Sequence, residues 1–263
     1  MKSDRTPAVA GLFYPAEAQE LRSLVHVYLD RVPGTQDAGP PKAIIVPHAG
    51  YVYSGPVAAS AYARLLKNAG QIKRVILLGP AHRVAVRGLA LSSAARFKTP
   101  LGAIEIDTDV SETLKSLPQV KVNDASHAEE HSLEVQLPFL QEVLNDFRLV
   151  PLVVGDATTE EIAEVLEAVW GGDETLIVIS SDLSHYLDYE TASTLDRRTS
   201  EAIESLDYEH ISYDQACGRI PVSGLLQVAR KKGLHAKTID LRNSGDTAGS
   251  KDRVVGYGAY AFS

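Results

Sequence analysis

Three histidines in this chain share one local signature. His48 closes AIIVPH, His82 closes RVILLGPAH and His185 closes TLIVISSDLSH, each just after an uninterrupted apolar, β-branched run. In open α/β sheets ligand sites form outside the carboxyl ends of the strands, so polar residues at those points stand where sites are built. A single such histidine reads as a loop cap bonded to a carbonyl, whereas three in equivalent places point to shared chemistry. Neutral imidazoles bind first-row metals through one nitrogen, and two of them plus an anionic ligand leave positions open for water or substrate. Cys217 in DQACGRIPV, just ahead of a helix signal where the macrodipole favours a thiolate, is a candidate third ligand. By residue type alone, a buried, inert cysteine is the better reading of that position. Asp182 and His185, three apart in SSDLSH, would pair as carboxylate and general base, against the competing reading that Asp182 caps a turn.

A second constellation competes with the first. His127 to His131 spells H-x-x-E-H, the pattern in which two histidines one helical turn apart hold zinc beside a glutamate base. Five residues match by chance easily in a chain with 8 histidines and 34 acidic residues, and no apolar face frames His127. A zinc peptidase is therefore the minor alternative. His26, His210 and His235 read as structural. The absence of G-x-G-x-x-G, G-x-x-x-x-G-K-[ST] and G-x-S-x-G patterns leaves nucleotide binding and serine hydrolysis without support.

The apolar runs at 43–50, 74–82, 148–156 and 175–185 lack alternation, which suits strands covered on both faces as in parallel sheets. Helices are predicted over 21–29, from Pro56 to a stop at Gly70, and over 158–170, 189–206 and 221–232, the last closed by Gly233. This alternation predicts a single α/β domain over 1–263, with a central, mostly parallel sheet flanked by helices. GLALSS and GAIEIDTD read as a hairpin or edge strands, and DRVVGYGAYAF as a closing strand. The only linker-like composition, VPGTQDAGPP at 32–41, is short enough for a surface loop.

With 44% hydrophobic and 23% charged residues the chain can bury a full core without disulfides. A formal net charge of -8 argues against nucleic acid or an anionic membrane as partner. A lone cysteine excludes an intrachain disulfide framework and fits a reducing compartment. The start lacks an apolar leader and no stretch approaches the roughly 20 apolar residues of a membrane span, so the expected location is cytoplasmic.

The ordered blocks AVAGLFYP, PHAGYVYSG, GPAHR, EEHSLEVQLPFL, SSDLSHY and QACGRIPV, from Ala8 to about Val222, resemble the Memo family. Prokaryotic members are often labelled component B of the AmmeMemoRadiSam system, which implies a functional link to the partner proteins of that system. The resemblance implies a fold like that of class III extradiol (LigB-type) dioxygenases, non-haem iron enzymes that open catechol rings. It also implies His48, His82 and Cys217 as the metal site, which reverses the reading of Cys217 as inert. His185 with Asp182 would stand near the dioxygenases' catalytic histidine, and His131 and Glu134 would line the same pocket. The dioxygenase triad has a carboxylate where this sequence has a cysteine, and a softer thiolate shifts preference toward copper, zinc or a redox-tuned iron. The expectation is a divalent metal, iron foremost, in a dioxygenase-like oxidoreductase acting on an unidentified small molecule. The alternative is a non-catalytic module that binds a peptide, a small anion or the metal itself.

Overall fold

The computed structural model describes residues 3–33 and 39–263. Its strands are β1 (Asp4–Arg5), β2 (Ala43–Val46), β3 (Arg74–Pro80), β4 (Leu89–Leu91), β5 (Arg96–Thr99), β6 (Gly102–Glu105), β7 (Val120–Val122), β8 (Arg148–Val154), β9 (Thr175–Ser180), β10 (His185–Leu187), β11 (Ala236–Asn243) and β12 (Val254–Phe262). Its helices are α1 (Ala18–Asp30), α2 (Tyr51–Tyr62), α3 (Thr108–Leu114), α4 (Asp124–Ala128), α5 (Leu137–Val143), α6 (Thr159–Ala168), α7 (Tyr189–Glu204), α8 (Arg219–Lys232) and α9 (Ser244–Thr247).

The main sheet runs β10-β12-β2-β9-β3-β8-β4-β7, with β11 paired to β12. Its centre, β2-β9-β3-β8, is parallel and carries the four apolar runs. These strands do not alternate because helices cover both faces. Ile44, Val46 and Leu77 join one core with Leu21, Val25, Val57 and Phe139 of α1, α2 and α5. Ala43, Ile45, Ile76 and Leu78 join the other with Ile162, Leu166 and Leu225 of α6 and α8.

The margins depart from the mostly parallel expectation, since β12 on β2, β10 on β12, β11 on β12 and β4 on β8 are all antiparallel. GAIEIDTD supplies one arm of a β5–β6 hairpin in a separate three-stranded sheet with β1. The run ending in His185 is not one strand: β9 stops at Ser180, and His185 opens β10 on the sheet edge. Helix α2 starts at Tyr51, whose N–H donates to Phe13 O, so Pro56 lies inside it rather than at its start. Thr158 and Glu161 form a capping box on α6, and Gly233 ends α8 with φ of 70°. The linker-like stretch lies in part outside the described residues, which omit 34–38. No helix among the described residues is long and apolar enough to cross a membrane.

Candidate metal centre

Parallel strands end together, and the turns that follow them converge. His48 comes two residues after β2, His82 two after β3, and His131 from the bend between α4 and the 3-10 turn Glu134–Gln136. The His48 and His82 rings lie 5.2 Å apart edge to face, His82 and His131 stack at 4.7 Å, and His48 and His131 meet at 5.5 Å. One ring nitrogen from each lies within 4.8 Å of the others, so three imidazoles stand where one ion would fit.

Hydrogen bonds set which nitrogens carry lone pairs. Gln136 accepts from Tyr62 OH through Oε1 at 2.9 Å and donates from Nε2 to Pro47 O and Ser180 Oγ at 2.9 and 2.8 Å. The one hydroxyl proton of Ser180 goes to Ser132 O at 2.6 Å. Ser180 Oγ is therefore an acceptor toward His48 Nδ1, 2.9 Å away, and His48 carries Nδ1–H with a bare Nε2. Glu130 does the same for His82: its Oε1 accepts from Nδ1 at 2.9 Å and its Oε2 from the His82 backbone N–H at 2.6 Å. Carboxylate–imidazole–metal arrangements of this kind orient ligating histidines and raise their basicity. His131 Nδ1 lies 3.3 Å from the same Oε1 without hydrogen-bond alignment.

The electrostatics suit ligation. Burial, helped by the other histidines, holds His48 well below the usual imidazole range. Burial brings His131 down to about 4. Both are neutral near pH 7, the form that binds metal. Burial pushes the Glu130 carboxyl up, but hydrogen bonds from His82 and Ser132 overcome it and hold it near 2. Glutamine in place of Glu130 should weaken metal affinity about 10- to 100-fold with little change in circular dichroism. Chelator competition measures this, and unchanged affinity would remove Glu130 from the support of the site.

The other sequence-predicted residues distribute unevenly. The Cys217 sulfur lies outside the three-nitrogen group but 3.3 Å from His48 Nε2 and 3.7 Å from Asp182 O. Burial and the Asp182 charge push its thiol up to about 12, against the expected pull of α8, which begins two residues later. Glycine at 218 permits this approach, because a Cβ there would stand 2.7 Å from Ser181 Cβ and 2.8 Å from Ser180 O. Asp182 does not pair with His185: its Oδ1 accepts from His48 N at 2.7 Å and steadies that backbone. Burial pushes the Asp182 carboxyl up to about 6. His185 is exposed at the cavity mouth, its ring 5.8 Å from Tyr186.

One expectation is corrected and the minor alternative is removed. Glu134 does not line the cavity: its carboxylate accepts from Arg5, from Ala8 N at 2.8 Å, Val9 N at 3.0 Å and Tyr14 OH at 2.5 Å. The H-x-x-E-H pattern does not form a zincin site, because α4 stops at Ala128 and the bend sends the two imidazoles apart. His127 is buried with Nε2 donating to Ala90 O at 2.9 Å and its ring edge-on to Phe97 at 5.7 Å. The residues that sequence reasoning missed are Glu130, Ser180 and Gln136. Glu130 was visible only as the glutamate of a pattern with another use.

Above the imidazoles opens a cavity of about 800 Å³, walled by Phe13, Tyr53 and Tyr257 with Arg83, Tyr186 and Arg253 at its edge.

A family model described as Memo-like protein matches residues 5–261. A MEMO1 family protein of Aquifex aeolicus is 37% identical over 96% of this chain and 97% of its own length. One from Sulfolobus acidocaldarius is 34% identical, and one from Methanopyrus kandleri 35%, each over 98% of this chain and 99% of its own. Among solved structures, an uncharacterized protein from Escherichia coli K12 aligns with a TM-score of 0.50 at 13% identity, covering 82% of this chain and 98% of that one. At that identity the likeness concerns the fold.

Proposed function

This chain belongs to the Memo family, and we propose that it is a metal-dependent redox protein acting on a small molecule in the cavity, its ion held by His48, His82 and Cys217. The observation that carries the reading is the engagement of Nδ1 on both His48 and His82, by Ser180 and Glu130, which leaves the two Nε2 atoms as the metal-facing donors. The 3.3 Å from Cys217 sulfur to His48 Nε2 supports the third ligand. It approximates the spacing of two donors on one ion, given metal–sulfur and metal–nitrogen bonds of about 2.3 and 2.0 Å. Imidazole and thiolate together suit iron, zinc or copper, and iron is the metal proposed. Iron bound here would supply one-electron chemistry beside the cavity. The residues themselves would exclude bulk water with Phe13 and Tyr257, and move a proton at the exposed ring of His185.

A second reading is favoured by the 4.8 Å grouping of nitrogens: His131 as third ligand, with Cys217 remaining a thiol. Proton counting separates the two. A thiol near 12 must lose its proton to ligate, so metal binding at pH 7 should release about one proton per ion if Cys217 is a ligand. Ligation by imidazoles alone would release no thiol proton, so wild type and Cys217→Ser would release the same number. The expected result is one proton released by wild type and none by Cys217→Ser, which should also lose most metal affinity while staying folded. Release of no proton by wild type, with metal lost in His131→Ala, would replace the first reading with the second. Elemental analysis of protein purified anaerobically tests iron, and metal-dependent O₂ consumption across a panel of diols tests turnover against binding alone.

A further inference from the structure

The cavity above the histidines is charged in a way that the metal does not require. Two guanidiniums, Arg83 and Arg253, stand at its edge, and Asp182 is the one carboxylate in its lining. That carboxylate is turned to the His48 backbone. Neither arginine forms an ion pair among the described residues, in a chain whose net charge is -8. Glu130, beneath the cavity, is committed to His82 N, His82 Nδ1, His131 N and Ser132 N.

Arg253 is also held in place at some cost to the backbone. The β10–β12 register slips between His185 and Leu187, and the residue in the slip, Tyr186, takes a φ of 60°, left-handed for a tyrosine. Its ring stays 64% exposed at the mouth, with the Arg253 guanidinium 5.3 Å above it. Backbone strain of this kind persists where surrounding structure enforces it and gathers at ligand clamps. A tyrosine face beneath a guanidinium supports the cation and leaves its fork of N–H groups free to meet a planar acid.

We propose that the cavity takes a small organic anion, its acid group gripped by Arg83 and Arg253 and its flat apolar body lying against Phe13, Tyr53 and Tyr257. The inference rests on the same cavity as the metal reading and names the class of molecule that the cavity admits, whether a carboxylate or a phosphate supplies the charge.

The test is calorimetric titration of metal-free and metal-loaded protein with benzoate, with its neutral isostere benzamide, and with inorganic phosphate as competitor. Benzoate should bind both forms at least about tenfold more tightly than benzamide, and Arg83→Gln and Arg253→Gln should each weaken benzoate by about tenfold or more. Benzamide binding and metal content should be unchanged in both variants. Displacement of benzoate by phosphate would identify a site that reads the charge whichever acid carries it. Failure of phosphate to compete would restrict the class to carboxylates bearing an apolar body. Benzoate binding no better than benzamide, or as well in the arginine variants as in wild type, overturns the proposal. Titration of the metal-free form keeps the two ideas apart: an arginine-dependent benzoate site survives if the metal assignment fails, and normal metal content survives if benzoate does not bind.

Discussion

Alanine in place of His48 should strip the protein of metal and leave it folded, while alanine in place of His127 should leave the metal and cost stability. His48 lends the site an Nε2 that its Nδ1 contact with Ser180 leaves free for a metal. Its removal takes one accepted hydrogen bond from Ser180, whose hydroxyl still bonds Ser132 and Gln136, so the strand end keeps its framework. His127 is the opposite case. Its Nε2 satisfies Ala90 O at 2.9 Å, and its ring packs on Phe97 inside the core. Truncation removes that hydrogen bond and the packing of the ring on Phe97 inside the core, a loss of about 0.5–3 kcal/mol. Elemental analysis and urea unfolding of both variants read the two effects separately. Metal retained by His48→Ala and lost by His127→Ala would restore H-x-x-E-H as the site and overturn the strand-end assignment.

That contrast shows which parts of the site are legible in the sequence. His48 and His82 could be found because their placement is local: an uninterrupted apolar run marks a strand buried on both faces, and the residue after it falls at the sheet's carboxyl edge. The same rule brings His185 to the cavity lining but does not give its element, because β9 stops at Ser180 and a turn in which Asp182 bonds back to His48, 134 residues away, precedes β10. Glu130 was missed for a related reason. Its function depends on a bend after a five-residue helix that brings it to His82, 48 residues distant, and no periodicity reports such a bend. The helix predicted from Pro56 starts sooner, at Tyr51, because Phe13 O accepts from the Tyr51 N–H, a tertiary contact that no local signal reports. The Cys217 thiol shows the limit of local electrostatics: a helix start favours thiolate, but burial beside a carboxylate prevails.

Glutamine in place of Glu134 is expected to be among the most destabilising conservative changes in the molecule, by about 3–5 kcal/mol, the usual cost of breaking a buried ion pair from one side. Glu134 is 1% exposed and its partner Arg5 7%. An amide keeps the volume but leaves the Arg5 guanidinium buried without its counter-charge, and it replaces one acceptor oxygen with a donor, set against either Arg5 and Ala8 N or Val9 N and Tyr14 OH. Arg5 also donates to His127 O at 3.0 Å and Glu130 O at 2.8 Å, so the pair clips the N-terminal segment to the loop that carries Glu130 and His131. Replacing both partners, as in Arg5→Met with Glu134→Gln, should recover part of the loss because no uncompensated charge remains. Urea midpoints of the two singles and the double measure the coupling. Metal affinity should move far less in Glu134→Gln than in Glu130→Gln, since the four donors on the Glu130 carboxylate come from His82, His131 and Ser132 and not from the clip. A Glu134→Gln protein that unfolds like wild type but no longer holds metal would put Glu134 back in the cavity, where the family resemblance first set it.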